Sequence, residues 1–124
     1  MVVDSSAILS IFFNEENGPW VLDQLQAAND SLRMSTVNLA ETLILIEDRQ
    51  PQLAKTLKAK LLNSSIRFVA PDHQTAILAA TARMKFPLNL GDCFAYALAK
   101  SENCPLLTLD RDFKATDIRV ILPS

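Results

Sequence analysis

Four acidic side chains in this 124-residue chain stand where an α/β protein keeps its chemistry: Asp4, Glu41, Asp92 and Asp110, with Asp112 close behind the last. Asp4 ends the short apolar run Met1-Val2-Val3, and Asp110 follows Pro105-Leu106-Leu107-Thr108 after one residue. Asp92 opens the most apolar helical stretch, Cys93 to Lys100, and Glu41 falls on the second turn of a helix that follows another short strand. Each can face one crevice from a different element, because open parallel sheets gather function at the carboxyl ends of their strands. Carboxylates held close together repel and push one another's pKa upward, so a cation has to compensate them. Their oxygens are the hard ligands that Mg2+ and Mn2+ prefer. Such ions can activate a water and clamp the attacking and leaving oxygens of a phosphodiester. That chemistry needs no histidine, lysine or cysteine.

Taken singly, each acid has an ordinary explanation. Asp4 reads as a strand-end residue, Asp92 as a helix N-cap after Gly91, and Asp110 and Asp112 as turn chemistry. Glu41 is the most telling. Its neighbours Leu39, Ala40, Leu43 and Ile44 suggest a helix buried on most sides, where a carboxylate needs a partner.

The elements that must position these residues are read from apolar spacing. Met1–Val3 predicts a first strand, after which Ser5 and Ser6 are candidate N-caps for a helix through Phe13. A turn at Asn14–Pro19 precedes a helix carrying Trp20, Val21, Leu22, Leu25 and Ala28. Leu32–Ser35 predicts a second strand. Thr36–Ser64 reads as a helical hairpin, capped by Ser35 or Thr36, with Pro51 in the first turn of its second helix. Ile66–Val69 is a third strand, and Pro71-Asp72 opens a helix to about Lys85. The apolar helix after Gly91-Asp92 comes next, then a strand at Pro105–Thr108. Asp110–Phe113 is a turn or short helix, and Val120–Leu122 a last strand. Short apolar strands alternating with helices predict an α/β fold on a mainly parallel sheet.

The length suits one domain over residues 1–124. With 49% hydrophobic and 21% charged residues, the composition is that of an ordinary globular protein. No apolar run approaches the roughly 18 residues of a membrane span. Met1-Val2-Val3-Asp4 lacks the basic start of a signal peptide, so the cytoplasm is the expected compartment. Cys93 and Cys104 have neither CxxC spacing nor a histidine cluster, which argues against a disulfide or zinc site. Only two glycines are present, which removes the Gly-rich phosphate loops of Rossmann and P-loop proteins. His73 is the single histidine, so a histidine acid–base pair is excluded. A net charge of −2 argues against reliance on a broad basic face, but not against reaching phosphates through bound cations.

Four stretches in order, Val2-Val3-Asp4-Ser5-Ser6, Ser35-Thr36-Val37-Asn38-Leu39-Ala40-Glu41, Leu90-Gly91-Asp92-Cys93-Phe94-Ala95-Tyr96-Ala97-Leu98-Ala99-Lys100 and Pro105-Leu106-Leu107-Thr108-Leu109-Asp110-Arg111-Asp112-Phe113, make the chain resemble the PIN-domain nucleases. The resemblance is to their short bacterial toxin branch, the VapC type, and spans the whole chain. It implies a three-layer α/β/α endoribonuclease dependent on Mg2+ or Mn2+, with metal ligands at Asp4, Glu41, Asp92 and Asp110. Asp112 can share or take over the last position. Thr108 resembles the family's small hydroxyl residue near the site, and Ser6 could orient Asp4 or a water, although both also suit plain turn or cap bonds. Arg111 and Lys114 could steady an RNA phosphate or simply be solvated charges. Trp20, Phe12 and Phe13 suit either a partner surface or the core. The resemblance further implies the toxin of a type II toxin–antitoxin pair, with a small cognate antitoxin and a tendency to dimerise. Competing readings are a catalytically vestigial PIN-fold binding module and an aspartate-based phosphatase or phospho-acceptor domain. The latter fits poorly, since Ser6 stands where a haloacid-dehalogenase-like phosphatase needs a second acid.

Overall fold

In the computed structural model, which describes residues 1–28 and 31–124, five short strands form one all-parallel sheet. They are β1 (Val2–Val3), β2 (Arg33–Ser35), β3 (Arg67–Val69), β4 (Leu106–Leu107) and β5 (Val120–Ile121). The six helices are α1 (Ser5–Phe12), α2 (Gly18–Ala27), α3 (Thr36–Arg49), α4 (Ala54–Leu62), α5 (His73–Lys85) and α6 (Leu90–Glu102). A 3-10 turn spans Arg111–Ala115. The expected α/β/α layering on a parallel sheet is present, with small differences at the ends. α4 begins at Ala54, leaving Pro51 in the connecting turn.

Alternation along the strands builds the layers, since successive residues point to opposite faces. Val2 and Leu106 pack with α5 and α6 through Ala79, Ala82, Cys93, Ala97 and Leu98. Val3, Leu107 and Met34 pack on the other face with Ala7, Ile8, Val21 and Leu61. α6 is buried on Cys93, Ala95, Tyr96, Ala97, Leu98 and Ala99, which explains its unbroken apolar run. Phe12 and Trp20 are partly buried against this second cluster, and Phe13, with Phe12, against a third made of Leu9, Ile46 and Ala54, so they serve packing.

The strand order β3-β2-β1-β4-β5 carries the functional consequence. The chain winds outward from β1 through β2 to β3, then returns to the other side of β1 for β4 and β5. The reversal lies between β1 and β4, which pair Val2 with Leu106 and Val3 with Leu107. Crevices at the carboxyl ends of strands open at such a switch point. Asp4 and Thr108 are the next residues on the two strands, and the Asp4 amide donates to the Leu107 carbonyl at 3.3 Å.

The far part of the turn after β4 is anchored from both sides. Phe113 is fully buried in the α5/α6 cluster. Beyond it, the Tyr96 hydroxyl and the Lys100 ammonium donate to the two oxygens of Asp117 at 2.6 and 2.8 Å. Those bonds, led by that of Lys100, hold the Asp117 carboxyl down at about 2. Truncating Phe113 to Ala therefore removes the plug that fixes the Asp110–Asp112 segment. A loss of about 3–5 kcal/mol, read from urea unfolding, is the expected outcome.

Candidate active site

The site begins with a buried acid. Asp4 is 2% exposed and ends β1, where it also caps α1. Its Oδ1 accepts from the Ala7 amide at 3.0 Å and the Ser6 hydroxyl at 2.7 Å, and its Oδ2 accepts from the Thr108 hydroxyl. The cap of α1 is thus Asp4, in place of the expected Ser5 or Ser6. An anionic cap suits the positive end of the helix, and it frees the Ser6 hydroxyl to serve Asp4. Ser6 and Thr108 are themselves 3.3 Å apart. They accept from the amides of Leu109 and Asp110 at 3.1 and 3.0 Å, so the same hydroxyls that hold Asp4 also shape the loop leading to Asp110. Desolvation dominates, and the Asp4 carboxyl rises to about 6 despite its three donors, with Asp110 adding a smaller push.

Asp92 lies in the first turn of α6, as its third residue. The N-cap there is Asn89, in place of the expected Asp92: the Asn89 side chain accepts from the Asp92 amide at 2.8 Å, and the Asn89 amide donates back to Asp92 Oδ2 at 3.4 Å. This reciprocal capping box explains why Asn89 and Asp92 stand three residues apart. Partial burial raises the Asp92 carboxyl to about 6, followed by the charge of Asp110 and, more weakly, those of Asp4 and Glu41. Asp4, Glu41 and Asp110 thus all lie within electrostatic reach of Asp92.

Glu41 projects from α3 toward the start of α6. A Cβ on Gly91 would lie 2.0 Å from Glu41 Oε2 and 2.6 Å from Oε1, so the carboxylate occupies the space that any other side chain would fill. The Asn38 side-chain amide donates to Glu41 Oε1 at 2.9 Å and to the Gly91 carbonyl at 3.0 Å. The helix is less enclosed than its composition suggests, for Ala40 is exposed and Ile44 is 66% exposed. What surrounds Glu41 is α6 rather than a general apolar jacket.

Asp110 caps the 3-10 turn, its Oδ1 accepting from the Asp112 amide at 2.9 Å. Asp112 and Arg111 are exposed, and of the two acids it is Asp110 whose charge acts on both Asp4 and Asp92. His73 is exposed at the start of α5, and the two cysteines are free. The structure therefore joins Asp4, Ser6, Thr108 and the Asp110 amide in one hydrogen-bonded network and sets Asp4, Glu41 and Asp110 within electrostatic reach of Asp92, with Arg111 and Asp112 exposed on the adjoining turn. Sequence reasoning missed three contributors: Gly91 as space for Glu41, Asn89 as the clasp of Asp92, and Asn38 as the partner of Glu41. A polar residue three positions before an acid in one helix was the available signal for Asn38.

The donor set fits a hard divalent cation. It consists of carboxylate oxygens, and the charges acting on Asp92 are those of the other acids, all of one sign. Among the described residues, no group of three or more His, Cys, Asp or Glu side chains is already placed to hold a metal ion; what Asp92 meets is the charge of the other acids. Stability should register the burial of Asp92 and the charges around it in metal-free buffer. With the folded-state pKa raised from 3.8 to about 6, the folded chain holds the Asp92 proton more tightly than the unfolded chain does. This stabilisation is present at low pH and is lost as pH rises through the window between those values. Asp92→Asn is expected to be more stable than wild type at about pH 7.5, with the difference gone near about pH 3.5. Urea unfolding in EDTA at the two pH values measures it, and equal stabilities at the higher pH would contradict the raised Asp92 carboxyl.

Comparison with known proteins agrees with this fold. A family profile described as PIN domain matches residues 1–119. The chain is 36% identical over 130 residues to "Ribonuclease VapC" of Mycolicibacterium smegmatis, covering 98% of this chain and 99% of that protein. It is 34% identical over 128 residues to "Ribonuclease VapC42" of Mycobacterium tuberculosis, covering 96% and 97%. The fold is similar to that of Mycobacterium tuberculosis VapC20, a sarcin-ricin loop cleaving toxin, at a TM-score of 0.81 and 15% identity over 94% of this chain and 95% of that one. It also resembles a chain in a toxin–antitoxin complex from Klebsiella pneumoniae, at a TM-score of 0.74 and 19% identity over 99% and 97%. This chain belongs to the PIN domain family.

Proposed function

We propose that residues 1–124 act as one nuclease domain, a metal-dependent endoribonuclease that hydrolyses RNA phosphodiesters. What supports this reading is that the charges of Asp4, Glu41 and Asp110 all act on Asp92 near the switch point of a parallel sheet, with Gly91 leaving room for the Glu41 carboxylate. Whole-length relatives named as VapC ribonucleases support it.

Asp4, Glu41, Asp92 and Asp110 would hold Mg2+ or Mn2+, with Asp112 at the margin available to share the last position. Such an ion supplies Lewis acidity, offsetting charge on the phosphodiester and lowering the pKa of a water. The chain's own part is to pre-set the ligands. Ser6, Thr108 and the Ala7 amide fix the rotamer of Asp4, and the capping box with Asn89 fixes that of Asp92. The raised carboxyls of Asp4 and Asp92 would fall with a cation bound beside them, since an opposite charge favours the ionised form. Arg111 stands exposed beside Asp110 and is suited to an RNA phosphate.

The reading extends to biology. The chain would be the toxin of a type II pair, restrained by a small cognate antitoxin. A groove of about 310 Å³ whose lining includes Ser6, Leu9, Glu15, Arg49, Leu109 and Asp110 opens beside Asp110 and is the proposed entry for such a segment. Dimerisation fits the exposed Ile77, Met84 and Leu90 on α5 and α6. No helix among the described residues is long and apolar enough to cross a membrane, and the cytoplasm, where RNA is the substrate, is the proposed location.

Cleavage of total cellular RNA by purified protein with Mg2+ or Mn2+, beside Asp4→Asn and Asp92→Asn, tests the activity. Wild type should cut and both variants should fall to background; three equally inactive proteins would sink the proposal. A subtler variant probes Gly91. In Gly91→Ala the new methyl would displace the Glu41 carboxylate, a flexible group that can swing aside. Cleavage should therefore drop at least about tenfold, while unfolding free energy changes by less than about 1 kcal/mol.

A further inference from the structure

The Asn38 side chain joins two parts of the acidic cleft that the backbone does not join. It is 1% exposed on α3, and its amide nitrogen donates both to Glu41 Oε1, at 2.9 Å, and to the carbonyl of Gly91, at 3.0 Å. Gly91 immediately precedes Asp92. One amide group thus spans from a carboxylate on α3 to the peptide that leads into a carboxylate on α6. Two acceptors facing the same NH2 also fix which way the amide points, because the flipped amide would set oxygen against oxygen.

Packing alone does not account for this residue. Its Oδ1 is buried with no hydrogen-bond partner, which costs stability compared with an apolar side chain of the same shape. The helix does not need it either. Thr42 closes the same turn by donating to the Asn38 carbonyl at 2.7 Å, a backbone bond that any residue at position 38 would accept. A polar group retained in the core at a loss, with both its donors turned to the site, is the pattern of a group that orients a ligand.

We infer that Asn38 is a positioning residue that sets the spacing between Glu41 and Asp92, and so the affinity of the cleft for a divalent cation. The inference rests on the metal-dependent reading above. Asn38 contacts no substrate; it acts through Glu41 and through the first turn of α6. Without its amide, Glu41 loses its donor and can rotate away from the other acids, whose repulsion favours that movement.

Two near-isosteric substitutions separate positioning from framework. Asn38→Leu keeps the volume and removes the donors together with the orphaned oxygen; Asn38→Asp keeps the shape but sets a carboxylate against Glu41. Mn2+ binding is measured by titration calorimetry on full-length wild type and variants, with thermal unfolding in EDTA alongside. Asn38→Leu is expected to unfold no lower than wild type yet to bind Mn2+ about 10–100-fold more weakly. Asn38→Asp should bind at least as poorly. Thr42→Val, a control on the neighbouring turn, should lower thermal stability and leave Mn2+ affinity within about twofold. Affinity within twofold of wild type in Asn38→Leu would overturn the inference while leaving the nuclease reading intact. Failure of both Asn38 variants to fold would assign the residue to the framework and overturn it equally. Absence of Mn2+ and Mg2+ binding by wild type would overturn the metal reading itself, and this inference with it.

Discussion

An ionisable carboxylate sits at the one place in this fold where the sheet has to open, and most of the surrounding structure follows from accommodating it. Asp4 is the residue at which the chain leaves β1 for α1, and it is almost wholly removed from water. A bare carboxylate there would be intolerable. Three donors meet it, from Ser6, Ala7 and Thr108. The Ala7 amide is an orphan donor of a helix start, so capping and desolvation are answered by one bond. The Thr108 hydroxyl is available only because β4 lies beside β1 in register. The strand order is therefore part of the chemistry: were β2 and β3 the only neighbours, no residue of the later chain would reach Asp4.

The remaining acids are carried by elements that pack for other reasons. α6 is held by its small buried residues against β1 and β4, which brings its first turn, and Asp92 with it, to the carboxyl edge of the sheet. α3 packs against α6, and the contact is close enough that a glycine is required where the Glu41 carboxylate crosses it. The arrangement trades stability for charge density. Burial raises both Asp4 and Asp92, and the like charges of the other acids add to the rise, more at Asp92; each is an energetic loss in the metal-free state that a bound cation can reverse. Sites of this kind are where a fold departs from its own stability optimum.

Much of this was legible in the sequence because strand ends are marked by abrupt changes from apolar to acidic residues. Asp4 after Val2-Val3 and Asp110 after Leu106-Leu107 could be located by that boundary alone, and the alternation of short strands with helices fixed the class of fold. The hidden parts were those decided by competition between similar residues or by tertiary contact. Asp4, Ser5 and Ser6 are all good caps, and only the path of the backbone selects Asp4. Asn89 and Asp92 are both able to cap α6, and the reciprocal box gives the cap to Asn89 and the cleft to Asp92. Gly91 and Glu41 lie in different helices, so nothing in local spacing announces that one vacates room for the other. Ile44 shows the converse error: an apolar residue at helical spacing that the fold leaves exposed.

The same distinction separates Asp110 from Asp112, which composition alone leaves equivalent. Both belong to one short turn, but the turn gives them unlike surroundings. Asp110 precedes it, with its amide held by Thr108 and its Oδ1 accepting the Asp112 amide, so its position is defined from both sides by the residues that also define Asp4. Asp112 lies inside the turn, next to Phe113. Because Phe113 is drawn fully into the core, its neighbour Asp112 is left on the exposed side. The charge of Asp110 reaches both Asp4 and Asp92. The backbone of Asp112, through its amide, helps hold that charge in place. A residue can thus contribute to an acidic site with its peptide group while its own carboxylate stays in solvent.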